Sequence, residues 1–249
     1  MPTAKRTAHK AKTSHPSWKG LMTFGLVSFP IDAFNALDRQ ASDIHFHQLH
    51  AKCHSRIHYK KVCPIHGEVS NDEIISGYEY KKGKYIEVEA DELEALRTES
   101  DRALKIDAFI SPETIDPLYF DGRMYYLLPS ETASQEPYAV IARAMEDEER
   151  YGVGQLVMSG KDQLALVRPL EGVLHMAMLN FEAEIRPAST MAAKIKAPKN
   201  ITKQLQLAKT LIENWTEDDL DFSKYHDTHR QRIEELIESK REGHEVTAP

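Results

Sequence analysis

Cysteine is scarce in this sequence, and long apolar runs are missing. Only Cys53 and Cys63 occur among the 249 residues, too few for the disulfide framework of a secreted domain, so a reducing compartment is expected. No stretch approaches the roughly 18 consecutive apolar residues of a membrane span, and residues 1–19 lack the apolar core of a secretory signal. The sequence therefore predicts a soluble, cytoplasmic protein without a membrane partner.

Familiar catalytic motifs are also missing. The sequence contains no G-x-S-x-G nucleophile elbow, no glycine-rich phosphate loop before a helix and no H-E-x-x-H metal motif. The carboxylates Asp116 and Asp121 stand in Asp-Pro and Asp-Gly pairs, which are typical of turns rather than of acid-base catalysis. The residue patterns thus give no support to an enzyme.

The charge of the chain is unevenly distributed. A net charge of -7 disfavours a nucleic-acid partner, because phosphate binding requires concentrated Lys and Arg. However, three windows carry cations and no Asp or Glu, namely 1–31, 44–67 and 186–212. Such segregation creates local positive fields, and in window 44–67 the cations are interleaved with Phe46 and Tyr59. That window favours a polyanion partner; the alternative is an exposed sheet edge whose lysines oppose aggregation.

Hydrophobic periodicity predicts a β-rich core followed by helices. Alternating apolar residues and turn-forming pairs favour a barrel or sandwich with one inserted helix at 138–145. Beyond Pro198 the period becomes helical, with one stripe from Leu205 to Trp215 and a second helix at 227–241. A first hairpin is expected from strands 18–29 (closed by Pro30) and 31–37, and a second from the two β-rich runs of 78–88 about a Lys82-Gly83 turn. Further strands are expected at 56–62, 104–110 and 124–128, and an antiparallel meander within 153–179.

A histidine-rich window overlaps the second acid-free window. It contains both cysteines and six histidines, which are His45, His47, His50, His54, His58 and His66. The C-x-x-H spacing of Cys63 and His66, with Cys53 and either His54 or His58 as further ligands, is compatible with a tetrahedral zinc ion. The alternative is that these histidines are polar or partly cationic strand residues with no metal.

Several segments together resemble the bacterial Ku family. They are WKGLMTFGLVSFP (18–30), HFHQLHAKC (45–53), RIHYKKVCP (56–64), GYEYKKGKYI (77–86), DPLYFDGRMYYLLP (116–129), LVMSGKDQLALVRP (156–169) and YHDTHRQRIEELIESKREG (225–243). The resemblance implies a mainly β fold with α, built on a Ku-type antiparallel β-barrel. It also implies a long bridging hairpin at about 44–86, a C-terminal helical arm and a ring-shaped homodimer. The expected organisation is a flexible basic arm (1–17), the barrel core (18–185), a connector with the helical arm (186–243) and a short tail (244–249).

The resemblance also implies a function. A protein of this family binds double-stranded DNA ends without reading sequence, acts in non-homologous end joining near the nucleoid, recruits ATP-dependent DNA ligase D, and needs neither catalytic residues nor a cofactor. The residues expected to contact DNA are Lys52, Arg56, Lys60 and Lys61 on the hairpin, Lys161 in a barrel turn, and Lys19 at the start of the barrel. The competing hypothesis is a zinc-binding module or enzyme built on residues 45–66.

Overall fold

The structure is a computed structural model that describes residues 15–38, 44–95, 102–196 and 201–241. The chain divides into two compact units, one holding the described residues of 43–58 and 186–249, the other those of 11–42 and 59–185. The strands are β1 (Trp18–Phe24), β2 (Val27–Asn35), β3 (Val62–Cys63), β4 (Gly67–Glu68), β5 (Ser76–Lys81), β6 (Lys84–Val88), β7 (Ala103–Ile110), β8 (Phe120–Pro129), β9 (Tyr151–Met158), β10 (Lys161–Leu170) and β11 (Val173–Leu179). The α-helices are α1 (Ala90–Ala95), α2 (Gln135–Asp147), α3 (Ala188–Ala192), α4 (Thr202–Asn214) and α5 (Thr228–Arg241).

A closed barrel of seven strands forms the centre of the second unit. Its strand order is β1-β2-β8-β11-β10-β9-β7, and β7 returns to β1. The expected meander is confirmed, since β9, β10 and β11 pair in sequence with antiparallel register. The prediction of a barrel is therefore confirmed, but a fully antiparallel barrel is wrong because β1 and β7 run parallel. A closed ring with an odd number of strands cannot alternate direction throughout, so at least one neighbouring pair must be parallel.

The first hairpin forms, but not where Pro30 suggested. The turn lies at Gly25 and Leu26, where Gly25 has a φ of 56° that glycine adopts without strain. Pro30 instead lies inside β2, opposite Leu21. The ladder between β2 and β8 begins only at Ile31, so the missing N–H of Pro30 leaves that ladder intact.

The barrel interior and α2 share one hydrophobic core. The helix buries Tyr138, Ile141, Ala142 and Met145, as the helical spacing of these residues predicted. The Tyr138 hydroxyl donates to the carbonyl oxygen of Leu127 at 2.7 Å and accepts from the backbone N–H of Leu174 at 2.7 Å. One buried side chain thus connects the helix to both β8 and β11.

Residues 59–88 contribute no strand to the barrel. They form the two-stranded pairs β3-β4 and β5-β6, and the second hairpin turns at Gly83 as predicted. The continuous strand expected at 56–62 is wrong, because only Val62–Cys63 is a strand there and Arg56 makes an isolated bridge with Leu49. The segment changes partners along its length, since Ile57 donates to Gln48 whereas Lys61 accepts from Val69.

The described part of the first unit contains a short reverse turn and three α-helices. Residues 49–56 fold back on themselves, and the two amphipathic helices predicted after Pro198 are confirmed as α4 and α5. None of the described residues of this unit is buried. The predicted arm at 1–17 falls mostly, and the predicted tail at 244–249 wholly, outside the described residues. Within the described part of the chain, no helix combines the length and apolar character needed to span a membrane.

Candidate nucleic-acid interface

Lys52 and Arg56 lie on the reverse turn of the first unit. His54 adopts a φ of 56° and donates its backbone N–H to the His50 carbonyl at 2.8 Å, while His50 donates to Ser55 at 2.9 Å. This tight backbone places Lys52 in the turn and Arg56 on the returning arm, and both side chains are exposed. The turn therefore presents two cations to solvent in an acid-free segment.

Lys60 and Lys61 lie beside β3 in the second unit, and each has a partner. The Lys60 Nζ is 2.7 Å from Glu68 Oε2, and the Lys61 Nζ donates to Asn71 Oδ1 at 2.8 Å. The backbone carbonyl of Lys61 also accepts from Val69 at 3.0 Å. Two adjacent lysines are thus tied to the chain that follows β3, one by a carboxylate and the other by a neutral amide.

Lys161 opens β10 and lines a polar recess at one end of the barrel. The recess has a volume of about 310 Å³ and is lined by Asp121, Arg123, Lys161, Asp162, Gln163, Leu179, Asn180, Phe181 and Glu184. Within it, the Arg123 guanidinium bonds to Asp121 and Gln163. Arg123 is a cation that the sequence analysis missed, because it stands outside the acid-free windows and two positions from Asp121. Three carboxylates and two cations line the recess, so its interior does not favour phosphate, although Lys161 itself is exposed.

Lys19, at the start of the barrel, is held in an ion pair. Its Nζ is 3.7 Å from Asp32 Oδ2, and the Ser130 hydroxyl donates to the other oxygen of Asp32 at 2.8 Å. The carboxylate of Asp32 is only 17% exposed. Within the described residues, Lys19 and Lys60 are the only two of the six predicted contact residues that form an ion pair.

The four zinc candidates do not converge on one point. Cys63 Sγ is 3.6 Å from His66 Nδ1, and Cys53 Sγ is 3.1 Å from His50 Nδ1. The pKa of the Cys63 thiol is lowered by the backbone N–H groups of Ile65 and His66, and that of Cys53 is lowered chiefly by the Ser55 hydroxyl. Across the described residues, however, no three His, Cys, Asp or Glu side chains gather as a metal site, and His58 belongs to neither pair.

Comparison with known proteins identifies the family. Residues 23–208 match the model of the Ku70/Ku80 beta-barrel domain. The chain is 35% identical over 230 residues to a non-homologous end joining protein Ku of Symbiobacterium thermophilum, covering 91% of this chain and 55% of that relative. It is 32% identical over 236 residues to the protein of the same name from Koribacter versatilis, covering 93% of this chain and 77% of that one.

The structural comparison is weaker. The SPOC domain of human PHD-finger protein 3 aligns with a TM-score of 0.34 at 13% identity, covering 68% of this chain and 99% of that domain. A TM-score this low supports no conclusion about this chain.

The match to the family model spans most of the seven-stranded barrel and the Lys60 and Lys161 regions, and both relatives match over nine tenths of the chain. The chain therefore belongs to the Ku family.

Proposed function

We propose that this chain binds the ends of double-stranded DNA as a ring-shaped homodimer in non-homologous end joining, and catalyses no reaction itself. The observation that carries the proposal is membership in the Ku family, whose matched relatives bear the name of that pathway. The chain spans 55% of the length of the Symbiobacterium relative, so the proposal concerns functions that the region shared with that protein supports.

Exposed cations supply the DNA contacts in this proposal. Lys52, Arg56, Lys60, Lys61 and Lys161 are exposed, and they contact phosphates, which carry no base sequence. Lys19 and Lys60 each also have an acidic partner, Asp32 and Glu68 respectively. Each phosphate contact makes the slope of log affinity against log salt more negative by about 0.9, so binding weakens steeply between low and physiological salt.

Uncovered apolar side chains support the homodimer. α4 exposes Leu205, Leu211 and Ile212, and Trp215 directly after the helix is 83% exposed. A contiguous exposed apolar stripe is unfavourable in water and supports an interaction surface. A second copy is the proposed occupant, because a homodimer buries the same surface of each subunit about a twofold axis.

The partner recruited to the DNA end is an ATP-dependent ligase, DNA ligase D. Its proposed docking surface lies within 225–243, where the described residues Tyr225 and Leu236 are exposed. The long bridging hairpin at 44–86 and the arm at 186–243 are parts of the same proposal. The hairpin closes the ring, and the arm embraces the second subunit.

A comparison of linear and covalently closed duplexes of one sequence tests the proposal. A ring that threads onto ends binds the linear form and leaves the closed form free in a gel-shift titration. Sedimentation of the protein alone, at the same concentrations, should give the mass of two chains. Equal binding to both DNA forms, or binding by a monomer, would contradict the ring.

A second candidate function is zinc binding, which two thiol-imidazole pairs favour. The separation of 3.6 Å between Cys63 Sγ and His66 Nδ1 is about that of two ligands on one tetrahedral zinc ion, given typical bond lengths of about 2.3 and 2.0 Å. Elemental analysis of protein purified without added metal decides the matter. Substoichiometric zinc removes this candidate, whereas one zinc per chain gives residues 45–66 a metal-binding role.

A further inference from the structure

Two of the three acid-free windows are followed directly by an acidic residue whose carboxylate pairs with a lysine of that window. The first acid after window 1–31 is Asp32, which pairs with Lys19. The first acid after window 44–67 is Glu68, which pairs with Lys60. Two of the cations expected to meet DNA phosphate are therefore each paired with the acid that directly follows their window.

The two pairs differ in how firmly the acid is held. Asp32 is mostly buried and is anchored by the Ser130 hydroxyl, and its distance to Lys19 is 3.7 Å. Glu68 lies at 2.7 Å from Lys60, and the side chains of the two residues are 60% and 67% exposed. Asp32 is thus held within the barrel strand β2, whereas Glu68 is exposed to solvent, where another anion can replace it.

We propose that the Glu68 carboxylate pairs with Lys60 where a DNA phosphate would bind, and thereby lowers the affinity of the β3-β4 region for DNA. This inference rests on the proposed function. A carboxylate oxygen at 2.7 Å makes the charge-assisted bond that a phosphate oxygen would make. Exposed ion pairs are weak, so phosphate can displace Glu68, but the displaced carboxylate stays within a Debye length of about 8 to 10 Å and repels the incoming phosphate.

The neighbouring lysine shows the contrast within the same segment. Lys61 donates to the amide oxygen of Asn71, a neutral partner that accepts a hydrogen bond without repelling phosphate. Lys61 therefore keeps its full charge for DNA, while Lys60 is opposed by Glu68. Affinity at this segment is set by the acid as well as by the two lysines.

The test is a double-mutant cycle on DNA binding. The proteins are the wild type, Lys60→Gln, Glu68→Gln and the double variant, titrated with a fluorescent linear duplex of about 30 base pairs at four salt concentrations. Glu87→Gln is the matched control, because Glu87 is an exposed acid on β6 of the same unit. We expect Glu68→Gln to bind roughly 3- to 10-fold more tightly at low salt, with a smaller gain at high salt.

The cycle separates a specific effect from a general charge effect. If Glu68 acts through Lys60, its substitution gains little once Lys60 is glutamine, which is a coupling between the two sites. An equal gain from Glu68→Gln and Glu87→Gln, or a gain that persists without Lys60, would overturn the inference. Weaker binding by Glu68→Gln would also overturn it, since the pair would then serve to hold β3 and β4 in place.

Failure of the proposed function looks different. If the wild type does not bind the linear duplex, or binds closed circles equally well, the end-binding ring is wrong whatever the cycle shows. If the wild type binds ends and Lys60→Gln weakens binding, but Glu68→Gln has no effect, only this inference fails.

Discussion

The barrel buries its apolar residues, whereas the helices α4 and α5 leave theirs at least partly exposed. In the barrel, side chains from seven strands and α2 meet in one core, where Met22, Leu104, Leu127 and Met176 are wholly inaccessible to solvent. In the helical region every described residue is at least partly exposed, although α4 has a clear apolar stripe. Burial of these side chains therefore stabilises the barrel within one chain. The apolar stripe of α4 is exposed in this chain, which supports the proposed second copy.

The largest effect on stability is expected at Gly154, where strands β7 and β9 approach closely. A Cβ atom added at Gly154 would overlap the carbonyl oxygen of Lys105 and the backbone of Ile106. Gly154→Ala should therefore force β7 and β9 apart and lower the free energy of unfolding by more than about 3 kcal/mol. Urea unfolding followed by the fluorescence of Trp18, whose indole donates to Val157 at 3.0 Å, measures the loss.

Gly77→Ala is the matched control for this substitution. Gly77 lies in β5, and a Cβ there would meet only Tyr85 side-chain atoms at an ordinary 3.5 Å. Its unfolding free energy should stay within about 0.5 kcal/mol of wild type. Equal losses at both positions would show that close backbone packing is not what distinguishes the barrel from the outer hairpin.

Acid should destabilise the barrel through a buried histidine. His175 lies between Tyr126 and Arg168 in register on the neighbouring strands, and its Nδ1 finds no partner among the described residues. Burial, with a smaller repulsion from Arg168, lowers the pKa of His175 from 6.5 to about 4. The folded state thus favours neutral imidazole, so stability is full above pH 6.5 and falls as pH drops toward 4, by up to about 3 kcal/mol.

His175→Gln isolates this dependence from the other histidines. The variant loses the titratable group, so the difference in unfolding free energy between wild type and variant should shrink as pH falls from 7 to 4. Urea titrations at pH 7, 5.5 and 4.5 measure that difference. A difference that stays constant with pH would mean that His175 titrates normally in the folded protein.

A smaller loss is expected from removing one hydroxyl in the core. Tyr138→Phe keeps the packing of α2 but leaves the Leu127 carbonyl and the Leu174 N–H without their buried partner. Leaving buried polar groups unpaired should cost about 2 kcal/mol. Tyr80→Phe, on the exposed hairpin β5-β6, should cost almost nothing in the same unfolding assay. An equally small loss at Tyr138 would mean that water replaces the missing hydroxyl.

The sequence predicted the elements that local periodicity determines, but not the features that depend on which strands become neighbours. The meander and α2 follow from local periodicity, so β9 to β11 and the stripe from Tyr138 to Met145 are correctly predicted. The position of Pro30 inside β2 depends on which neighbour needs its N–H, and a single strand does not reveal that. The parallel closure of β1 on β7 is likewise a property of the whole ring.

In the candidate site, too, the sequence did not reveal which side chains would pair. The acid-free window 44–67 already marked Lys52, Arg56, Lys60 and Lys61 as a cationic group, whereas their assignment to DNA, with Lys161 and Lys19, rests on the family resemblance. That Glu68 returns to Lys60 depends on the turn between β3 and β4, which spacing alone does not fix. Arg123 was missed because its neighbour Asp121 makes the pair look neutral, although the guanidinium reaches Gln163 on another strand.

The smallest effect on barrel stability, and the largest on association, is expected at Trp215. Trp215→Ser removes an exposed aromatic side chain just beyond α4, so the unfolding free energy of the barrel, read from Trp18 in dilute protein, should change by less than about 0.5 kcal/mol. Self-association should weaken by roughly 10- to 100-fold, because buried tryptophans often contribute 2 kcal/mol or more to an interface. Leu26→Ser is the control, since Leu26 is fully exposed at the β1-β2 turn of the barrel. If Leu26→Ser disrupts the dimer and Trp215→Ser does not, the barrel tip rather than the helical region carries the interface, and the contrast between the two regions fails.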